Sequence, residues 1–223
     1  MNGLSERGHD APAGGSMRLI GSDLSPYVRK VRVYLSETGR EMPFERVDVW
    51  TDEIWHGTAD PVGKIPILIC PDGGTLTESL LVVDYLDRLA EPERRLTPAN
   101  PHAVLMTRRR QVSAQVLIDA TVERLLEGRR PSAQQCTDRI ERQEARISRV
   151  LAHEEASLAQ GKWPTCDSFG LGEIDMAVAL QYVDFRYPHD WRARCPRLSV
   201  WAAETRERPS LFATQPHGFT PIV

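Results

Sequence analysis

The sequence predicts a small α/β domain of order β-α-β then β-β-α, followed by an all-helical domain. Three observations predict it. Strand-like and helix-like runs alternate from Met17 to about Leu89; a break with three prolines and two adjacent arginines follows at 91–101; and only helical periodicity appears from His102 onward. The boundaries expected from this are 17–92 for the first domain, 93–101 for a linker and 102–223 for the helical domain.

Each element has a local reason. Residues 17–20 form a short apolar strand. Ser25-Pro26 then opens a helix, because Ser is a good N-cap and Pro at the first helical position loses only an N–H that has no partner there. Val28, Val31 and Leu35 give that helix an apolar face, and Gly39 ends it. Residues 44–50 (FERVDVW) alternate apolar and polar side chains, as a half-buried strand does, and 51–61 read as a loop or a short broken helix. Residues 65–69 are a compact apolar strand, Pro71-Asp72-Gly73-Gly74 is a hairpin turn, and 75–77 form the returning strand. The next helix begins at Glu78-Ser79 and carries Leu81, Val82, Tyr85, Leu86 and Leu89 on one side.

Helices are expected in the second domain at 102–128, 137–160, 171–186 and 196–207, with shorter pieces near 188–193 and 209–213. Ile147, Val150, Leu151 and Leu158 make an apolar seam in the second of them. The 171–186 helix is apolar almost all round, so it should be the buried centre of its domain. Arg108, Arg109 and Arg110 read as a solvated helix face ahead of the alternative, a contact for an anionic substrate.

Composition excludes several classes of function. A formal net charge of -3 gives no electrostatic basis for nucleic-acid binding, and no stretch approaches the ~20 apolar residues of a membrane span. Cys70, Cys136, Cys166 and Cys195 are far apart, with no C-x-x-C pair and no His/Cys spacing for zinc, so reduced thiols and no metal are expected. Residues 1–16 are polar and rich in Gly, Ala and Pro, without the basic start and apolar core of a signal peptide. They read as a disordered extension, or as an upstream-start or vector remnant ahead of Met17.

Three local features carry chemistry. Ser25 stands at a strand-to-helix junction, where exposed N–H groups and the helix dipole favour an anion; taken alone, it is better explained as a plain N-cap. In Gly63-Lys64-Ile65-Pro66 a proline enters a strand behind an apolar residue, a candidate cis peptide that would leave the backbone of Ile65 free to pair with an extended ligand. Glu78 and Ser79 open another helix, where a hydroxyl and backbone N–H groups could hold a carboxylate and the acid could accept from an ammonium; a helix cap explains them as well.

In this order (strand, S-P-Y, helix, strand, G-K-I-P, strand, E-S, helix) the features resemble the N-terminal, thioredoxin-like domain of the bacterial cytosolic glutathione transferases, in their serine-type form. The helical remainder is similar in length to that family's second domain, so the resemblance covers roughly 17–215. It implies that Ser25 faces the sulfur of glutathione and that the backbone of Ile65, ahead of the cis-proline Pro66, pairs with the cysteinyl part. It further implies that Glu78 and Ser79 bind the γ-glutamyl end, that Lys64 reaches the glycyl carboxylate and that Tyr27 packs under the first helix.

The activity implied is a glutathione transferase, with glutathione as co-substrate, attacking a small electrophile in cytoplasmic detoxification. A glutathione-dependent disulfide reductase or peroxidase, and a non-catalytic binding or regulatory protein, are the alternatives. Ser25 disfavours mixed-disulfide chemistry at that residue, because a hydroxyl forms no disulfide. A homodimer is implied through the first domain's last helix and the second domain's first two. One departure appears at Phe169-Gly170-Leu171-Gly172-Glu173-Ile174, where the family often has F-S-x-A-D-I: Gly170 replaces the capping Ser, and Glu173 keeps an acid able to reach back.

Overall fold

A short apolar run starts the sheet. In β1 (Arg18–Gly21) Leu19 and Ile20 are buried while Arg18 is exposed. The computed structural model describes residues 15–48, 60–163 and 169–219, and everything below concerns these. β1 pairs in parallel with β2 (Phe44–Arg46) and antiparallel with β3 (Ile67–Ile69), which pairs antiparallel with β4 (Thr75–Thr77), giving the order β2-β1-β3-β4. A parallel pair needs a crossover, and α1 (Pro26–Glu37) supplies it. The β3–β4 turn closes through Cys70 O accepting from Gly73 N at 2.9 Å, with Gly73 at φ +83, a conformation that glycine adopts without a Cβ penalty.

The sheet is followed by α2 (Ser79–Arg88), and the helical part consists of α3 (Pro101–Gly128), α4 (Thr137–Ala159), α5 (Leu171–Arg186), α6 (Pro196–Arg206) and α7 (Pro209–Ala213). This is a thioredoxin-like four-stranded unit joined to an all-helical unit. The connection between them is held in place, since the carboxylate of Asp87 accepts from the backbone N–H groups of Leu96 at 2.8 Å and Thr97 at 3.0 Å.

α5 is buried along residues 171–184, as its all-round apolar character requires. Its buried polar side chains each have a partner. Glu173 is ion-paired with Arg110 of α3, and Asp175 accepts from Gln111 at 3.2 Å. Gln181 accepts from Arg29 of α1 at 2.5 Å, and Asp184 accepts from Trp191 at 2.8 Å and Arg192 at 2.6 Å. The departure at its N-terminus is half compensated: Glu173 Oε2 accepts from Gly170 N at 3.1 Å, while Gly170 has no side chain to return the bond. At Gly172 a Cβ would lie 3.3 Å from the carbonyl of Thr107, so the absence of a side chain there lets α3 and α5 pack closely.

Several expectations are corrected. The 65–69 strand pairs only from Ile67, and β2 ends at Arg46, with Trp50 outside the described residues. The 188–193 helix is a single 3-10 turn at Arg192–Arg194. In α2, Val82 and Leu86 are buried but Leu81 and Leu89 are 51% and 48% exposed, so its apolar side divides between the core and the surface. The three arginines are not one solvated face. Arg108 is ion-paired with Asp84 of α2, Arg110 is buried against Glu173, and only Arg109 is exposed. The expectations for residues 1–14, for nearly all of the 51–61 loop and for Cys166 lie outside the described residues.

The ionic ties can be tested one at a time. Arg110→Ala leaves the Glu173 carboxylate buried without its cation, and should cost about 3–5 kcal/mol in denaturant unfolding. At the C-terminal end of α1, burial pushes the Glu37 carboxyl up. Hydrogen bonds from Arg208, at 2.6 Å, and from Ser210 outweigh that effect and hold it below its ordinary value of 4.5. Its contribution is therefore present above about pH 4.5 and is lost as pH falls through the lower folded value. Denaturation midpoints of Glu37→Gln should show a shallower acid limb than those of the parent protein.

Candidate functional site

The local structure around Ser25 is set by close packing and by one carboxylate. A Cβ on Gly21 would lie 2.5 Å from a methyl of Val28, so the glycine lets α1 turn back directly onto the end of β1. Asp23, in the intervening turn, pairs with Arg32 of α1 and Arg46 of β2, each at 2.6 Å. Ser25 caps α1, its Oγ accepting from Val28 N at 3.3 Å. A hydroxyl that accepts in this way keeps its own proton available for donation toward the cavity it lines.

The second wall is the segment that enters β3. The buried carboxylate of Asp60 accepts from Val62 N at 2.8 Å and from the Thr75 hydroxyl at 2.5 Å, tying the segment to β4. The Ile65–Pro66 bond is cis. The paired stretch of β3 begins at Ile67, so the ladder uses neither the N–H nor the C=O of Ile65, which stands at the cavity.

The third wall is the start of α2. Glu78 has φ 70, the one positive-φ non-glycine among the described residues, and its side chain makes no cap hydrogen bond. Such strain is held by its surroundings, and it clusters at ligand clamps. Ser79 is 1% exposed, yet its Oγ has no hydrogen-bond partner. A buried, unpaired hydroxyl at a helix N-terminus is costly unless a ligand completes it. Lys64 Nζ lies 3.9 Å from Glu78 Oε1 on the exposed rim. All six residues singled out in the sequence come together here: Ser25, Lys64, Ile65, Glu78 and Ser79 line one cavity of about 750 Å³, with Pro66 buried directly behind Ile65.

The opposite side of the cavity comes from the helical unit, as the sequence suggested for the 102–128 helix, though the individual lining residues were not legible there. Gln115, Asp119, Val122 and Leu125 descend from α3, while Tyr182 and Arg186 come from α5. Tyr27 is not simply packed beneath α1. It lines the cavity and donates from its hydroxyl to Asp119 Oδ1 at 2.6 Å, bridging the two units. Burial, and then this bond to a carboxylate, push the phenol far above its ordinary range, so it stays neutral. Asp119 also accepts from Gln115 Nε2 at 3.1 Å, and Gln115 in turn accepts from the buried ammonium of Lys30 at 2.8 Å. No cysteine among the described residues lines the cavity. Burial pushes the thiols of Cys70 and Cys195 up, which makes both poor nucleophiles.

Comparison with known proteins agrees with this architecture. The N-terminal domain of glutathione S-transferases matches residues 19–94, and the C-terminal domain of the same enzymes matches 137–204. The chain is 31% identical over 203 residues to the uncharacterized GST-like protein YibF of Escherichia coli, covering 90% of this chain and 98% of that one. A glutathione S-transferase from Methylobacillus flagellatus, crystallised with glutathione bound, is 36% identical, with a TM-score of 0.84 over 90% of this chain and all of the other. One from Methylobacterium radiotolerans, in complex with glutathione sulfonate, is 32% identical with a TM-score of 0.82, covering 93% and 98% of the two chains.

Proposed function

This chain belongs to the glutathione S-transferase family, and we propose that it binds glutathione in the cavity described above and activates its thiol for attack on a small electrophile. The observation that carries this reading is the buried, unpaired hydroxyl of Ser79 beside the strained Glu78, at the N-terminus of α2. That hydroxyl and the neighbouring backbone N–H groups receive the γ-glutamyl carboxylate, and the Glu78 carboxylate receives the ammonium of the same residue. The free N–H and C=O of Ile65, held by Pro66 behind it, pair with the cysteinyl unit as a strand edge does. Lys64 stands on the rim where the glycyl carboxylate would emerge. Residues 17–92 are, on this reading, the glutathione-binding domain.

The sulfur then lies over the N-terminus of α1, where the Ser25 hydroxyl donates to it. An unperturbed thiol, with a pKa near ~8.5, is only a few per cent ionised at neutral pH. Donation from Ser25, together with the helix dipole, favours the thiolate. A shift of about two units corresponds to about 2.7 kcal/mol of differential stabilisation. The thiol proton leaves to solvent, the thiolate forms a carbon–sulfur bond with the electrophile, and an activated double bond or a leaving group takes up the electron pair. Disulfide exchange through a protein thiol has no support at this site, since no described cysteine lines it.

The three described cysteines are free, in keeping with a reducing, cytoplasmic setting where glutathione is available and conjugation serves detoxification. Homodimerisation is supported by apolar side chains left exposed on neighbouring helices, Leu81 and Leu89 on α2 with Leu105 and Val112, 56% and 59% exposed, on α3.

The protein should be retained on a glutathione resin and elute with free glutathione, and Ser79→Ala should weaken retention about tenfold. Ser25→Ala should stay on the resin but raise the thiol pKa of bound glutathione, read from thiolate absorbance against pH; an unchanged titration removes Ser25 from the mechanism. Leu105→Glu should shift a dimeric sedimentation profile toward the 25.1 kDa chain.

A further inference from the structure

The part of the cavity that lies away from Ser79 is apolar on most sides but ends in a cation. Leu24, Val122, Leu125 and Leu126 supply the apolar walls, and Tyr182 and Arg186 close the end nearest the C-terminus of α5. The other charged groups lining the cavity have counterparts: Lys64 faces Glu78 at 3.9 Å, and Asp119 accepts from Tyr27 and Gln115. Arg186 differs. Among the described residues no carboxylate pairs with it, and its Nε is buried without an acceptor. Its guanidinium lies over the Phe185 ring at 3.9 Å. That contact and the Tyr182 hydroxyl hold the guanidinium at the cavity, and its five N–H groups leave further donors for an anion. Next to it, burial raises the phenol of Tyr182, and hydrogen bonding with Arg186 lowers it in part, so a neutral hydroxyl stands beside the fork.

We infer that Arg186, with Tyr182, is the specificity determinant of the electrophile subsite, receiving a carboxylate or another planar oxyanion on a substrate whose apolar body lies against Val122, Leu125 and Leu126. An apolar pocket alone discriminates weakly among electrophiles of similar shape, whereas an unpaired guanidinium penalises a neutral ligand that leaves it unsatisfied. The substrate class is therefore an apolar, singly anionic electrophile. For an aryl halide such as 4-chloro-3-nitrobenzoate, the glutathione sulfur bonds to the ring carbon that bears chlorine. The carbon–chlorine bond breaks, chloride leaves with its electron pair, and the thiol proton passes to solvent.

This inference rests on the glutathione reading above, and the test keeps the two apart. Calorimetric titration of the full chain would compare glutathione, S-(4-carboxy-2-nitrophenyl)glutathione and the methyl ester of that aryl carboxylate. The acid conjugate should bind at least about tenfold more tightly than the ester, as a charge-assisted pair warrants. In Arg186→Gln the acid-to-ester ratio should fall toward one, and Arg186→Lys should restore part of it, since a point charge without the fork satisfies a planar oxyanion only partly. A wild-type protein that binds glutathione but holds acid and ester equally overturns the inference alone, as does a ratio that survives in Arg186→Gln. A wild-type protein that binds neither glutathione nor the conjugates overturns the glutathione reading, and the inference with it. Because the acid-to-ester ratio is measured first on the wild-type protein, it remains decisive even where the variants fold poorly.

Discussion

Two cations buried on α1 hold the architecture together. Arg29 and Lys30 are 3% and 0% exposed, on a helix whose other buried residues are Pro26, Val28, Val31, Val33, Tyr34 and Leu35. Neither charge could stay there without partners, because a buried unpaired cation is among the costliest features a fold can contain. The helical unit supplies them. Arg29 reaches Gln181, Thr214 and the carbonyl of Leu211, and Lys30 reaches Gln115 and, at 3.6 Å, Asp175. Burial, and then the charge of Arg32, push Arg29 down to about 10, and burial raises Asp175 against the pull of Lys30. The thioredoxin-like sheet is thus fastened to the helical unit by the helix that begins at Ser25.

The same α1 that donates cations to α3 and α5 presents its N-terminus between the units, so the position of Ser25 relative to Asp119 and Tyr182 depends on the buried network. A continuous set of bonds runs from Asp175 through Lys30, Gln115 and Asp119 to Tyr27, linking the core of the helical unit to the cavity wall. Each member is satisfied by the next, the condition under which a polar network specifies a geometry rather than weakening a core. Asp84 with Arg108, and Glu37 with Arg208, repeat the device at other points of the interface.

The cavity divides by origin and by chemistry. The half built by the sheet unit is polar and partly strained, with Glu78 in a left-handed conformation and Ser79 unpaired, and it suits a peptide with charged ends. The half lined from α3 and α5 sets Val122, Leu125 and Leu126 beside Gln115, Asp119, Tyr182 and Arg186. Relatives of the same family crystallised with glutathione bound bear on the first half.

The element order and the central buried helix at 171–186 are written in the chain alone, as are the positions of Ser25, Lys64, Ile65, Pro66, Glu78 and Ser79 at the starts of helices and of a strand, because these are local features. A cap, a proline at a strand start, a turn and the period of apolar side chains are written within a few residues. The partners of these residues came from the packing of distant segments. Arg108 and Arg110 read as a solvated face until Asp84 and Glu173, distant in sequence, were brought against them. Tyr27 read as packing until Asp119 met it from 92 positions away. Leu81 and Leu89 fitted the periodic stripe of α2 but face outward, because which part of a stripe is covered depends on what lies opposite. Charge pairing and burial across domains are properties of distance in space, and a helical repeat carries no record of them.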